Sequence, residues 1–146
     1  MEEITKSKEY EKIAKELIKN IPSLYPISAS GIKIAYVSSS GKNIKPKGKM
    51  VYADCNKVQA VCKPWCKYDF IIRVYEEAVI GLTRNQLKIL LYHELLHVGI
   101  DDRTLEPKYI INSHDIEDFL EIVDTFGTHW ADVGQVVPDI ENIYGK

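Results

Sequence analysis

Chemistry is most plainly legible in five consecutive residues, His93-Glu94-Leu95-Leu96-His97, which spell H-E-x-x-H. On a helix the two histidines stand one turn apart and can direct ring nitrogens at the same ion, a geometry that suits one zinc ion, while the glutamate between them is placed to act as general base. A shuffled chain of this composition would contain the pattern about one time in a hundred. A catalytic zinc usually takes three protein ligands and keeps its fourth position open, so a third ligand must come from elsewhere. His114 lies 17 positions beyond His97 (114 − 97 = 17) and opens the last predicted helix, which makes it the chosen third ligand. Glu117, at 20 positions (117 − 97 = 20), is the alternative third ligand, and Glu121 a weaker one. A helical wheel turns His114 away from the Ile116, Phe119 and Val123 face and places Glu117 at its border. A residue in a first turn is less bound by the wheel, because the chain is still entering the helix.

Around these ligands the polar residues are less specific. Asp115 or Asp118 would suit a second layer that accepts a proton from a ligating ring, although acids are common in any first helical turn. His129, beside Trp130, reads as a structural histidine. No residue identifies itself as an oxyanion stabiliser; Tyr109 and Arg103 are the candidates in the segment between the ligands.

The elements that must position this site follow from periodicity. Tyr10, Ile13, Ala14, Leu17, Ile18 and Ile21 recur at three-and-four spacing, predicting an amphipathic helix over Glu9 to Ile21 that Pro22 and Pro26 end. Strands are predicted over Gly31 to Val37, Lys49 to Cys55 and Tyr68 to Tyr75, the last rich in β-branched and aromatic residues. Thr83 and Gln86 form a capping box that starts a helix running to about Val98. That helix is apolar nearly all round in its carboxyl half, so it should be buried, and polar groups there require a metal or hydrogen bonds. Gly99 to Asn112, with Gly, Pro and paired aspartates, is predicted as a loop. Ser113 then caps a helix whose core face is Ile116, Phe119, Leu120, Val123 and Phe126, with Gly127 as its carboxyl cap. Residues after Trp130 read as irregular. The expected fold class is α+β: an amino-terminal helix, a small three- to four-stranded sheet, the central H-E-x-x-H helix and a carboxyl-terminal helix.

Composition sets the outer limits. A chain of 146 residues with 45% apolar content suffices for a single domain with one sizeable core. The 19 basic and 21 acidic side chains leave a net charge of -2, so nucleic acid is not indicated as a partner. Lys42, Lys45, Lys47 and Lys49 crowd a Gly/Pro-containing stretch that reads as a solvated loop between strands. The charged amino terminus lacks the apolar core of a signal peptide, and no apolar run is long enough to span a bilayer, so a cytoplasmic protein is expected. Cys55, Cys62 and Cys66 match neither a disulfide framework nor paired zinc knuckles, and read as buried or incidental thiols.

The segments L-Y-H-E-L-L-H-V-G and S-H-D-I-E-D-F-x-x-I-V-x-x-F-G resemble the phage metallopeptidase family, over about Tyr52 to Gly127. More distantly they are similar to SprT-like and Spartan-type zinc proteases, although this chain carries no strongly basic segment of the Spartan kind. The resemblance implies a zincin-like domain of minimal gluzincin type spanning residues 1–146, with its core at about 30–127. It also implies zinc ligands His93, His97 and His114, with Glu94 catalytic. The expected function is a zinc-dependent hydrolase that cleaves peptide or amide bonds in a polypeptide substrate. An extended peptide would add as a strand at the sheet edge supplied by Tyr68 to Tyr75 or a neighbour. The alternative is a catalytically silent, zinc-stabilised protein-binding module, and a third reading is a metal-free structural domain.

Overall fold

The structure is a computed structural model that describes residues 2–42, 44, 48, 50–103, 105, 108–114, 119–127, 130–131 and 137–144. It is an α+β arrangement whose central sheet has the strand order β1-β2-β4-β3, with β1 at Ile4–Lys6, β2 at Ile34–Ser39, β3 at Ala53–Lys57 and β4 at Phe70–Tyr75. Strands β2 and β4 run parallel, while β1 and β3 pair antiparallel on the outer sides. The Tyr68 to Tyr75 segment is therefore the interior of the sheet rather than an edge, because β3 takes the hydrogen-bonding side that the sequence left open. The three-residue β1 was not predicted; a strand that short has no alternation to detect.

Alternation along β4 sets the layers. Phe70, Ile72 and Val74 are fully buried on one face, where Ile34 and Tyr36 of β2 and Ala53 and Cys55 of β3 lie beside them in register. On the opposite face Arg73 donates to Asp54, Tyr75 donates its hydroxyl to the same carboxylate at 2.7 Å, and the guanidinium also pairs with Glu2. One face is thus core and the other a polar lattice that links β3, β4 and the residue Glu2 ahead of β1.

Helix α1, Lys8–Asn20, lays Tyr10, Ile13, Ala14 and Leu17 into that core, and its amino end is capped by the Ser7 hydroxyl. Pro22 and Pro26 end it as expected, through a 3-10 turn at Pro22–Leu24 and the short α2 at Tyr25–Ala29. A second 3-10 segment, Ala60–Trp65, links β3 to β4, and α3, Glu76–Val79, follows the sheet. Helix α4, Arg84–Leu96, packs against α1 and β3, and its Ile89, Leu91 and Leu95 are fully buried. The predicted capping box is present: the Gln86 N–H donates to the Thr83 hydroxyl and the Thr83 N–H to the Gln86 side chain.

Beyond α4 the chain turns straight into a hairpin, β5 at Val98–Asp101 and β6 at Lys108–Ile111, where a loop was predicted. Helix α5, Leu120–Phe126, buries Ile122 and Phe126 alongside Phe119, and Gly127 follows at φ 81°, the left-handed conformation of a carboxyl-terminal cap. The short α6, Glu141–Tyr144, lies in the stretch expected to be irregular. The fully buried Ile140 just before it joins the same core, and its N–H donates to Asn85 of α4. Among the described residues, no helix is long and apolar enough to cross a membrane.

Candidate metal centre

Helix geometry delivers the first two rings. His93 and His97 leave the same side of α4 in its last turn, where His97 is the cap residue with near-helical backbone and its N–H bonds to the Glu94 carbonyl at 3.1 Å. The third ring arrives from the hairpin. His114 follows β6 by three residues (114 − 111 = 3) on a segment that is neither helix nor strand, which returns it to the end of α4. Its Nε2 lies 2.9 Å from Nε2 of His93 and 2.9 Å from Nε2 of His97. Ligand atoms of all three rings fall within 4.8 Å of one another, so the group could hold a metal ion.

The positions of the ring protons bear on whether a metal suits these nitrogens. Nδ1 of His97 sits 2.7 Å from the Asn112 carbonyl oxygen, which can only accept, so Nδ1 carries a proton and, in the neutral ring, Nε2 does not. The His114 Nε2 can then either donate to His97 or accept from His93. Direct hydrogen bonding accounts for one of the two short contacts and leaves the other as like facing like. A cation among the three nitrogens accounts for both. Nitrogens sharing a tetrahedral zinc stand about 3.3–3.4 Å apart, so the two short contacts to His114 would need to lengthen by only a few tenths of an ångström. The donor set therefore fits a divalent metal that favours imidazole nitrogen.

Aromatic packing holds the rings in place. The Phe119 ring, 6% exposed, lies with its centroid 5.3, 5.0 and 5.3 Å from those of His93, His97 and His114. All three contacts are steeply tilted, the arrangement in which a ring edge meets a ring face. Trp130 approaches His93 at 6.2 Å, and its carbonyl accepts a 2.9 Å hydrogen bond from the fully buried Gln86 amide. The capping glutamine of α4 thereby ties the start of the helix to the aromatic wall near its end.

Glu94, between the two histidines, is 4% exposed. Its charge is felt by Cys55 of β3, whose thiol is pushed well up by burial first, then by the Glu94 and Asp54 carboxylates. Nothing in the order of residues pointed to that influence.

The family model described as "Putative phage metallopeptidase" matches residues 2–142 of this chain. The chain belongs to that family. A metallopeptidase family implies a metal and a polypeptide substrate, and the three converging histidines offer the place for the metal. Nothing among curated proteins or among solved structures matches the chain.

The other residues singled out by sequence have different outcomes. Glu117, the alternative third ligand, and Asp115, Asp118 and His129 lie outside the described residues. Glu121 accepts a 2.7 Å hydrogen bond from Ser23 on the exposed surface. Arg103 is occupied by Asp101, which it grips through Nε at 2.9 Å and Nη2 at 2.8 Å and whose carboxyl it holds below the usual range. Tyr109 packs its ring 6.0 Å from Phe70. Sequence reasoning missed Asn112, Phe119 as the floor beneath the rings, and the Gln86 to Trp130 link.

Proposed function

We propose that this chain is a zinc-dependent, zincin-like metallopeptidase that hydrolyses peptide bonds, with His93, His97 and His114 holding one zinc ion and Glu94 as general base. The observation that carries the reading is the convergence of three imidazole Nε2 atoms beside a buried glutamate, in a chain of a metallopeptidase family. Bound zinc would supply Lewis acidity, which makes a water molecule more acidic and polarises the scissile carbonyl. The chain's own part is proton handling and orientation. Glu94 takes the proton of the attacking water and passes it to the departing amine, a role that needs a carboxylate fixed beside the ligands and shielded from bulk water. Burying a carboxylate is costly, which supports a working role for Glu94 over a packing one.

A polypeptide substrate has a place to lie. Strand β3 is the outer strand on the side of the sheet that packs against α4. The bonds from the Val58 N–H to Asp69 and from the Tyr75 N–H to Tyr52 fix the parity of the β3–β4 ladder. By that parity Ala53, Cys55 and Lys57 turn their backbone N–H and C=O groups away from β4, the side on which an extended peptide would add as a further strand. The whole chain would then act as one zincin-like domain.

Glu94→Gln is the experiment that separates enzyme from binding module. The variant is expected to bind zinc as the wild type does and to lose at least about a hundredfold in cleavage of an unfolded-protein or peptide library, the scale of a general base. Undiminished hydrolysis by the purified variant would remove Glu94 from the mechanism. A wild type that takes up zinc, gains thermal stability from it and cuts nothing in the library would instead be the zinc-stabilised binding module.

A further inference from the structure

Asn112 makes four hydrogen bonds to three consecutive residues at the end of α4. Its backbone N–H donates to the His97 carbonyl at 2.7 Å, and its backbone carbonyl accepts from His97 Nδ1 at 2.7 Å. Its side-chain amide donates to the Leu96 carbonyl at 3.1 Å and the Val98 carbonyl at 3.4 Å. Both side-chain partners are carbonyl oxygens, so the NH2 group must face them whichever way the amide is drawn. Leu96 and His97 lie in the last turn of α4, where carbonyls have no intrahelical partner, and Asn112 supplies those donors.

Gly99 makes room for this arrangement. A Cβ at that position would meet the Asn112 Oδ1 at 2.3 Å and its Cγ at 2.7 Å, and Gly99 has no positive φ that would otherwise call for glycine. The glycine is thus explained by the space the Asn112 side chain occupies. Two residues further along stands His114 (114 − 112 = 2), so the same residue that orients the second ring also anchors the segment that carries the third.

We propose that Asn112 is the positioning residue of the metal centre, a clamp that fixes the His97 ring with Nε2 bare and sets His114 in register with the end of α4. The clamp rests on the reading of His97 and His114 as metal ligands. It acts through its amide, which pins the Asn112 backbone against residues 96–98, and the carbonyl so pinned holds the His97 proton on Nδ1. A ring left without that acceptor would favour no one tautomer and would rotate, and outer partners of ligating histidines are worth about 10–100-fold in metal affinity.

The test uses the full chain as wild type, Asn112→Ala, Gly99→Ala and the double variant. Zinc affinity is read by competition with a chromophoric chelator, and the His97 tautomer by 15N NMR of the metal-free protein. The wild type is expected to show His97 protonated at Nδ1 before any metal is added. Asn112→Ala is expected to lose that signature and to bind zinc about 10–100-fold more weakly. Gly99→Ala should weaken zinc in the wild-type background and change it by less than about twofold when Asn112 is already alanine, because the clash has gone. Wild-type His97 protonated at Nε2, or Asn112→Ala with unchanged zinc affinity and an unchanged tautomer, overturns the clamp. A wild type that binds no zinc overturns the metal-centre reading instead, and the tautomer then judges the clamp on its own. Should Asn112→Ala fail to fold, the wild-type tautomer and the Gly99→Ala affinity still decide.

Discussion

Phe119 touches all three imidazoles at once, so its removal is a direct probe of how the site is held. Phe119→Ala is expected to destabilise the protein by about 3 kcal/mol from lost burial and cavity formation. It is also expected to broaden the ring resonances of His93, His97 and His114 together, as measured by denaturant unfolding and histidine NMR. Sharp, unshifted ring signals in the variant would show that α4 and Asn112 suffice without the aromatic floor. The cysteines give a second check at this scale. Cys62 is exposed, whereas burial pushes the Cys55 thiol up and keeps it protonated at neutral pH. A thiol reagent at pH 8 is expected to label Cys62 in the native protein much faster than the half-buried Cys55; equal native rates would contradict the raised Cys55 thiol. His93, Glu94 and His97 were legible because helical periodicity alone places i and i+4 on one side. His114 was legible as a residue type at a plausible distance, yet the helical wheel used against it did not apply, since it stands outside helix, six residues before α5 begins (120 − 114 = 6). Asn112 was not legible at all, because two of its four bonds use backbone atoms that any residue possesses.

Helix α4 is the element on which the site depends, and its start is fixed by side chains. Gln86→Leu removes the reciprocal half of the capping box and the buried bond to Trp130. It is expected to cost about 1–3 kcal/mol, since the Thr83 N–H and Trp130 carbonyl lose their partner. Thr83→Ala removes only the cap and is expected to cost about 1 kcal/mol. Equal costs in chemical denaturation would deny the Gln86 to Trp130 link any energetic role. The capping box, the amphipathic α1 and the β-branched β4 could all be read in the sequence, because each rests on local chemistry or on a period sustained over several turns or residues. The β5–β6 hairpin could not. Its strands are four residues each, and Gly99, Pro107 and the paired aspartates gave the segment the composition of a loop. The exchange of β4 for β3 at the sheet edge was likewise hidden, since strand order is set by pairing across the chain rather than by any one strand's residues.

At the scale of the molecule, the three histidines join two parts of the chain that the backbone connects only through the hairpin: the end of α4 and the segment leading to α5. A metal ion there would cross-link them and add its binding free energy to folding. With zinc at about a thousandfold over its dissociation constant, the gain is expected to be about 4 kcal/mol. Chelation should reverse it as a fall in melting temperature, and His114→Ala should abolish most of the zinc-dependent gain. A melting temperature indifferent to zinc and chelator would mean that no ion binds the folded form preferentially. Whether these three rings form an open catalytic centre is decided by a crystal structure of the zinc-loaded protein. One ion is expected on Nε2 of His93, His97 and His114, with its fourth position turned to solvent and Glu94 beside it. An ion closed off by a fourth protein ligand, or seated away from His114, would contradict it.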